Sequence, residues 1–100
     1  MSIKKVMGRE TIASLATAIG FTAAQIPPTA GKEGVIYALC QPLGGDIRIC
    51  EDGSTPSTSL GIRVCEDVPF EVWGDKALRN FRAINDGGTA TLEVIYNGAD

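Results

Sequence analysis

One hundred residues, 44% of them apolar and carrying a net charge of −3, suffice for one hydrophobic core and not for two. The nine Lys and Arg stand singly from Lys4 to Arg82, apart from the Lys4–Lys5 pair, so the dense basic footprint of a nucleic-acid binder is missing. The chain is too apolar for disorder, and no apolar run approaches the roughly 20 residues of a spanning helix, so neither nucleic acid nor a membrane is an expected partner.

Residues 1–8 carry little pattern and read as an N-terminal arm, with a single domain over 9–100. Lys4, Lys5 and Arg9 ahead of Thr11–Phe21 outline a secretory leader, but Glu10 at its head and the interspersed Thr and Ser argue against one. Leu15, Ile19 and Ala23 share a helical face, whereas Thr11, Thr17, Gly20 and Thr22 weaken a helix. This reading places a short strand at Glu10–Leu15, then an irregular or one-turn helical piece. Ala24–Ile26 follows as an extended stretch, stopped by Pro27–Pro28.

From Gly34 the pattern is β. Val35–Cys40 is apolar on both faces, as a central strand would be, and Pro42, Gly44 and Gly45 predict a turn. Asp46–Cys50 alternates with Ile47 and Ile49 inward. Leu60–Cys65 alternates again, which predicts Leu60, Ile62 and Val64 inward. Phe70–Trp73 sets Phe70 and Val72 against Glu71 and Trp73. Ala77–Ile84 sets Phe81 and Ala83 against Asn80, Arg82 and Ile84. After the turn signal Asn85–Gly88, Ala90–Tyr96 is the clearest strand, with Ala90, Leu92, Val94 and Tyr96 on one face. Seven to eight short strands at regular spacing predict an all-β fold, an antiparallel sandwich or a small jelly-roll-like barrel. Ile47–Asp52 is echoed fifteen residues later by Ile62–Asp67. The echo reads as two strands of one in-out pattern that could be neighbours in one sheet; the rival reading is a site formed by the matching Arg and Cys positions.

The chemistry-bearing residues are few. Without histidine the common partner of a Ser, Cys or Thr nucleophile is absent. Cys40, Cys50 and Cys65 lack the close spacing of a zinc site and read as reduced, buried apolar residues. Glu51, Asp52, Glu66 and Asp67 read as solvated turn carboxylates, because the ligand spacing of a calcium loop is missing. Gly31–Lys32 lacks the remaining residues of a phosphate-binding loop. No cofactor, no metal and no catalytic residue are expected. Trp73 is the residue to watch, either packing the second face of the core or its rim, or standing exposed as an anchor for a partner.

The stretch from Asp46-Ile47-Arg48 through Asp52-Gly53-Ser54-Thr55-Pro56-Ser57 and Leu60-Gly61 to Leu78–Ile84 and Leu92–Tyr96 resembles small virion proteins of tailed bacteriophages. Shared features are an extended strand, a D-G-x-x-P-T/S turn, a glycine-led strand, an aromatic strand and a closing L-x-V-x-Y strand. Ser57 stands where Thr is the usual residue. The resemblance implies a non-enzymatic capsid decoration protein in the virion, made in the host cytoplasm. Its partners would be the major capsid protein or other virion proteins, with a homo-oligomer expected. A neck or tail component fits the same resemblance, and a stand-alone binding module for carbohydrate or a host surface is the rival from another class. Trp73, Lys4 and Lys5 are the expected partner contacts, the two lysines through an arm threading onto a neighbour.

Overall fold

Alternating apolar and polar residues become seven strands in two antiparallel sheets in the computed structural model, which describes residues 4–22 and 34–99. The strands are β1 (Lys4–Ile12), β2 (Val35–Leu43), β3 (Ile47–Cys50), β4 (Ile62–Val64), β5 (Phe70–Trp73), β6 (Arg82–Asn85) and β7 (Thr91–Ala99). One helix, α1 (Asp75–Asn80), joins β5 to β6. The larger sheet runs β1-β7-β2-β5 and the smaller β4-β3-β6. Their inner faces enclose one core as a small all-β sandwich.

The two sheets are joined by a bent ribbon. β2 pairs with β7, and its continuation β3 pairs with β6, so both chains of the ribbon turn the same corner. The corner needs a glycine at one position. Gly44 has φ +84°, and a Cβ there would lie 3.3 Å from the Thr89 carbonyl oxygen. The Asp86 amide donates to the Asp46 carbonyl at 3.0 Å, and the Ala90 amide to the Asn85 side chain at 2.7 Å.

Alternation explains the core. Ala90, Leu92, Val94 and Tyr96 are all buried, as are Ile47, Ile49, Val72, Phe81 and Ala83. Phe21 stacks on Phe81 at 4.3 Å and meets Tyr96 edge-on at 5.6 Å. The segment after β1 is tied down by its own hydrogen bonds. Ile19 and Ala83 exchange backbone bonds at 3.0 and 2.9 Å, and the Asn85 amide donates to the Leu15 carbonyl at 2.9 Å. Thr22 donates to the Glu10 carboxylate through its amide (3.2 Å) and hydroxyl (2.6 Å), and the Tyr96 hydroxyl donates to the same carboxylate.

Burial, and then the Glu10 contact, push the Tyr96 phenol well above its ordinary value of 10.0. Burial, and then the charge of Glu51, push the Cys40 thiol above 9.0. The unfolded chain therefore releases protons at high pH that the folded chain keeps. The stability these two groups contribute is fully present below about pH 9 and is lost as pH rises beyond it. The urea midpoint is expected to drop above pH 9 and to drop less steeply in Tyr96→Phe. That variant should start about 1–3 kcal/mol lower, because Glu10 loses a donor. A flat alkaline limb would contradict the burial of both groups.

Several expectations are corrected. β1 begins at Lys4 and stops at Ile12, earlier than the predicted Glu10–Leu15, because an edge strand is held by backbone pairing along β7 and needs little apolar pattern. Lys4–Gly8 are thus strand residues, while 1–3 and the predicted Ala24–Ile26, Pro27–Pro28 and Gly31–Lys32 features lie outside the described residues. Pro42 lies within β2, not in a turn. β5 pairs with β2 only as far as Cys40, and on that side the Pro42 carbonyl accepts the Asp67 amide at 2.8 Å, so no ladder N–H is missed. Residues 77–80 are helical, not extended: Leu78 is buried, and Asp75 and Arg79 pair at 2.6 Å across one turn. Leu60 and Ile62, expected inward, are 52% and 70% exposed. Ile62 does share the core-facing side of its sheet with Ile49, its cross-strand partner, but at this corner no described strand of the larger sheet covers it.

Candidate partner-contact surface

The outer face of the larger sheet carries an aromatic pair at its β5 edge. Because Ala38 and Val72 point into the core, their neighbours Tyr37 and Trp73 point out. Register then aligns Trp73, Tyr37, Asn97 and Val6 across β5, β2, β7 and β1. The next row is Glu71, Leu39, Ile95 and Arg9. Farther along, Arg9 (2.8 Å) and Thr11 (2.7 Å) bind the Glu93 carboxylate as a polar margin.

Trp73 is 53% exposed and yet fixed in orientation. Its ring stacks on Tyr37 at 4.2 Å and 11°, and its Nε1 donates to Glu71 Oε1 at 2.8 Å. Trp73 is thus not a core residue: its stacking on Tyr37 is packing at the rim of the sheet, and its remaining surface is open to a partner. With its polar edge already bonded, the indole offers an apolar face whose ordering cost is largely met before any partner arrives. Tyr37 is half-buried beside it, whereas Tyr96 is wholly buried. Asn97 is also buried; its amide nitrogen donates to the Ile95 carbonyl at 3.0 Å, and its Oδ1 has no partner among the described residues. Lys4 and Lys5 open β1 opposite Ala99 and Gly98, at the same end of the sheet as Trp73 but on the far edge. The structure therefore brings the three expected contact residues to one end of one sheet, not into one cluster.

The sequence echo proves to be a pair of neighbours. β3 and β4 are antiparallel, with Arg48 opposite Arg63. Their like charges are separated by carboxylates: both guanidinium groups reach Asp86 (3.4 and 3.3 Å), and Arg63 also reaches Asp46 at 2.6 Å. The Glu66 amide and Arg63 together hold the Asp46 carboxyl below its ordinary value. Antiparallel pairing sends Cys50 and Cys65 to opposite ends of the ribbon, and likewise Glu51–Asp52 and Glu66–Asp67. No metal-binding group of three or more Cys, Asp or Glu occurs among the described residues. All three thiols are free. Cys40 is buried and Cys50 half-buried, but Cys65, expected to be buried, is exposed because it lies past the end of β4 in a turn.

Alternation failed to reveal a second feature. Ile49, Cys50, Leu60 and Ile62 line an open groove of about 420 Å³, whose lip is Glu51 and Asp52. The only signal for it in the sequence is the brevity of the apolar run at Ile62–Val64 beside a polar loop. No family model, curated protein or solved structure matches the chain.

Proposed function

We propose that this chain is a non-enzymatic structural component of a tailed-phage particle, a capsid decoration protein that binds the lattice of the major capsid protein. Two things support the reading: the resemblance carried by Asp46–Tyr96, and the half-exposed, pre-oriented Trp73 on the outer face of a sheet. The second carries it. A rigid aromatic anchor of this kind is where binding energy concentrates in interfaces. Many weak copies of one contact add up on a repeating lattice.

The test is to add purified chain to particles lacking it and to count bound copies by quantitative mass spectrometry. Saturable binding at a copy number comparable with the major capsid protein is expected. Trp73→Ala should weaken it by about 2 kcal/mol, roughly 30-fold, with little change in Tm because the side chain is half exposed. A handful of copies per particle points instead to a neck or tail position, and no binding at all overturns the virion reading. The exposed Trp73–Tyr37 pair also favours a second reading, a carbohydrate-binding module. Binding on a glycan array without particle binding would select it.

A further inference from the structure

The hydrogen-bond phase of β5 fixes which of its backbone groups are open. The Gly74 amide donates to the Ile36 carbonyl at 2.9 Å, directly across the ladder that sets Tyr37 opposite Trp73. Hydrogen-bonded and non-hydrogen-bonded pairs alternate along an antiparallel ladder. Phe70, Val72 and Gly74 therefore turn their backbone groups toward β2, and Glu71 and Trp73 turn theirs away. The close Tyr37–Trp73 stack, at 4.2 Å, is what a non-hydrogen-bonded pair allows. β5 ends the larger sheet, and among the described residues no backbone group meets the outward amides and carbonyls of Glu71 and Trp73. This open edge is bounded on both sides. Pro69 has no N–H to offer, and α1 begins at Asp75.

We propose that the edge pairs with the same edge of a second copy, antiparallel about a two-fold axis at Val72. Glu71 then lies opposite the partner's Trp73, and Trp73 opposite the partner's Glu71. The two pairs exchange amide and carbonyl bonds in both directions, which satisfies every open group on both edges. Other registers do worse. Centring on Glu71 sets two carboxylates directly opposite and turns the Trp73 carbonyl toward Pro69, which has no donor. Centring on Trp73 sets Glu71 against Asp75, a second acid and already the start of a helix. In the Val72 register the four-stranded sheets of two copies become one continuous sheet. Each Glu71 carboxylate, which accepts its own indole N–H at 2.8 Å, gains the partner's indole as its cross-strand neighbour. The contact is isologous and closed, so assembly stops at the dimer. Its area is small, and association is accordingly weak and concentration-dependent. The dimer forms in the free protein and stands whether or not the chain decorates a capsid.

Sedimentation velocity of the full chain over a wide range of concentration tests this, together with residue-resolved hydrogen exchange by NMR. The wild type should pass from monomer to dimer and no further. The Glu71 and Trp73 amides should exchange fast in dilute protein and slow several-fold as the dimer fills, while the Val72 and Gly74 amides stay protected at every concentration. Glu71→Pro deletes an outward donor and leaves the bonds to β2 in place, a position where a sheet edge tolerates proline. With its fold confirmed by circular dichroism, that variant should raise the dissociation constant at least about tenfold. Should it fail to fold, the exchange pattern of the wild type decides alone. A wild type that stays monomeric throughout overturns the proposal. So do assemblies that grow beyond the dimer, a dimer whose Glu71 and Trp73 amides keep their dilute exchange rates, or a folded Glu71→Pro chain that dimerises as the wild type does.

Discussion

Phe81→Ala is expected to remove about 3–5 kcal/mol of stability, the largest loss for any single side chain considered. Phe81 is fully buried, stacked on Phe21 at 4.3 Å and within 6.1 Å of the Phe70 ring. It sits where α1 ends and β6 begins, so its ring joins the helix, the smaller sheet and the segment after β1. Alanine would leave a cavity that none of these elements can fill without breaking the Ile19–Ala83 backbone bonds nearby. A domain of this size holds roughly 5–15 kcal/mol in all. The midpoint of thermal unfolding should fall by well over about 10 °C, as followed by circular dichroism. Trp73→Ala, at an exposed aromatic, should shift it far less. Equal losses for the two would mean that the core does not lie where the structure puts it.

Gly98→Ala is expected to cost about 3 kcal/mol, the upper end of overpacking penalties, through a collision and not a cavity. A Cβ on Gly98 would stand 2.1 Å from the Gly34 carbonyl oxygen and 2.9 Å from its carbon. Both are backbone atoms, so they cannot rotate away as a side chain would. The strand start at Val35, paired with Gly98, must move off β7. Hydrogen exchange at Val35 and neighbouring amides should then accelerate, together with the fall in the urea midpoint. Gly87→Ala provides the control. A Cβ there meets nothing within 4 Å, so only its positive φ is penalised. A Gly98→Ala chain as stable as the wild type would show that β2 and β7 do not approach this closely.

These effects lie at positions of very different legibility. The face alternation of Ala90–Tyr96 gave the central strand and its buried side directly, because one face of that strand meets the core along its whole length. The outward turn of Trp73 was readable from Phe70 and Val72 for the same reason. Alternation reports which side of a sheet a residue takes, not whether anything covers that side, and so Leu60 and Ile62 were misplaced. The six-residue helix escaped because one and a half turns are too short for a period of 3.6 to separate from a period of two. Its clue was the Asp75–Arg79 spacing, not its apolar residues. Neither the Gly98–Gly34 approach nor the stacking of Tyr37 on Trp73 has a local signature. Both depend on strand register, which is set by residues far apart in the chain.

β7 lies between β1 and β2 yet follows every other described strand. As the polypeptide leaves the ribosome, the smaller sheet has all its strands once residue 85 is out, while β1 and β2 still lack the neighbour they share. Their open edges persist until residues 91–99 emerge, since only then can the larger sheet zip up on both sides of its centre. A nascent chain halted before that point would leave β1 unpaired and the apolar β2 open along one edge, which makes the closing step the one most exposed to aggregation.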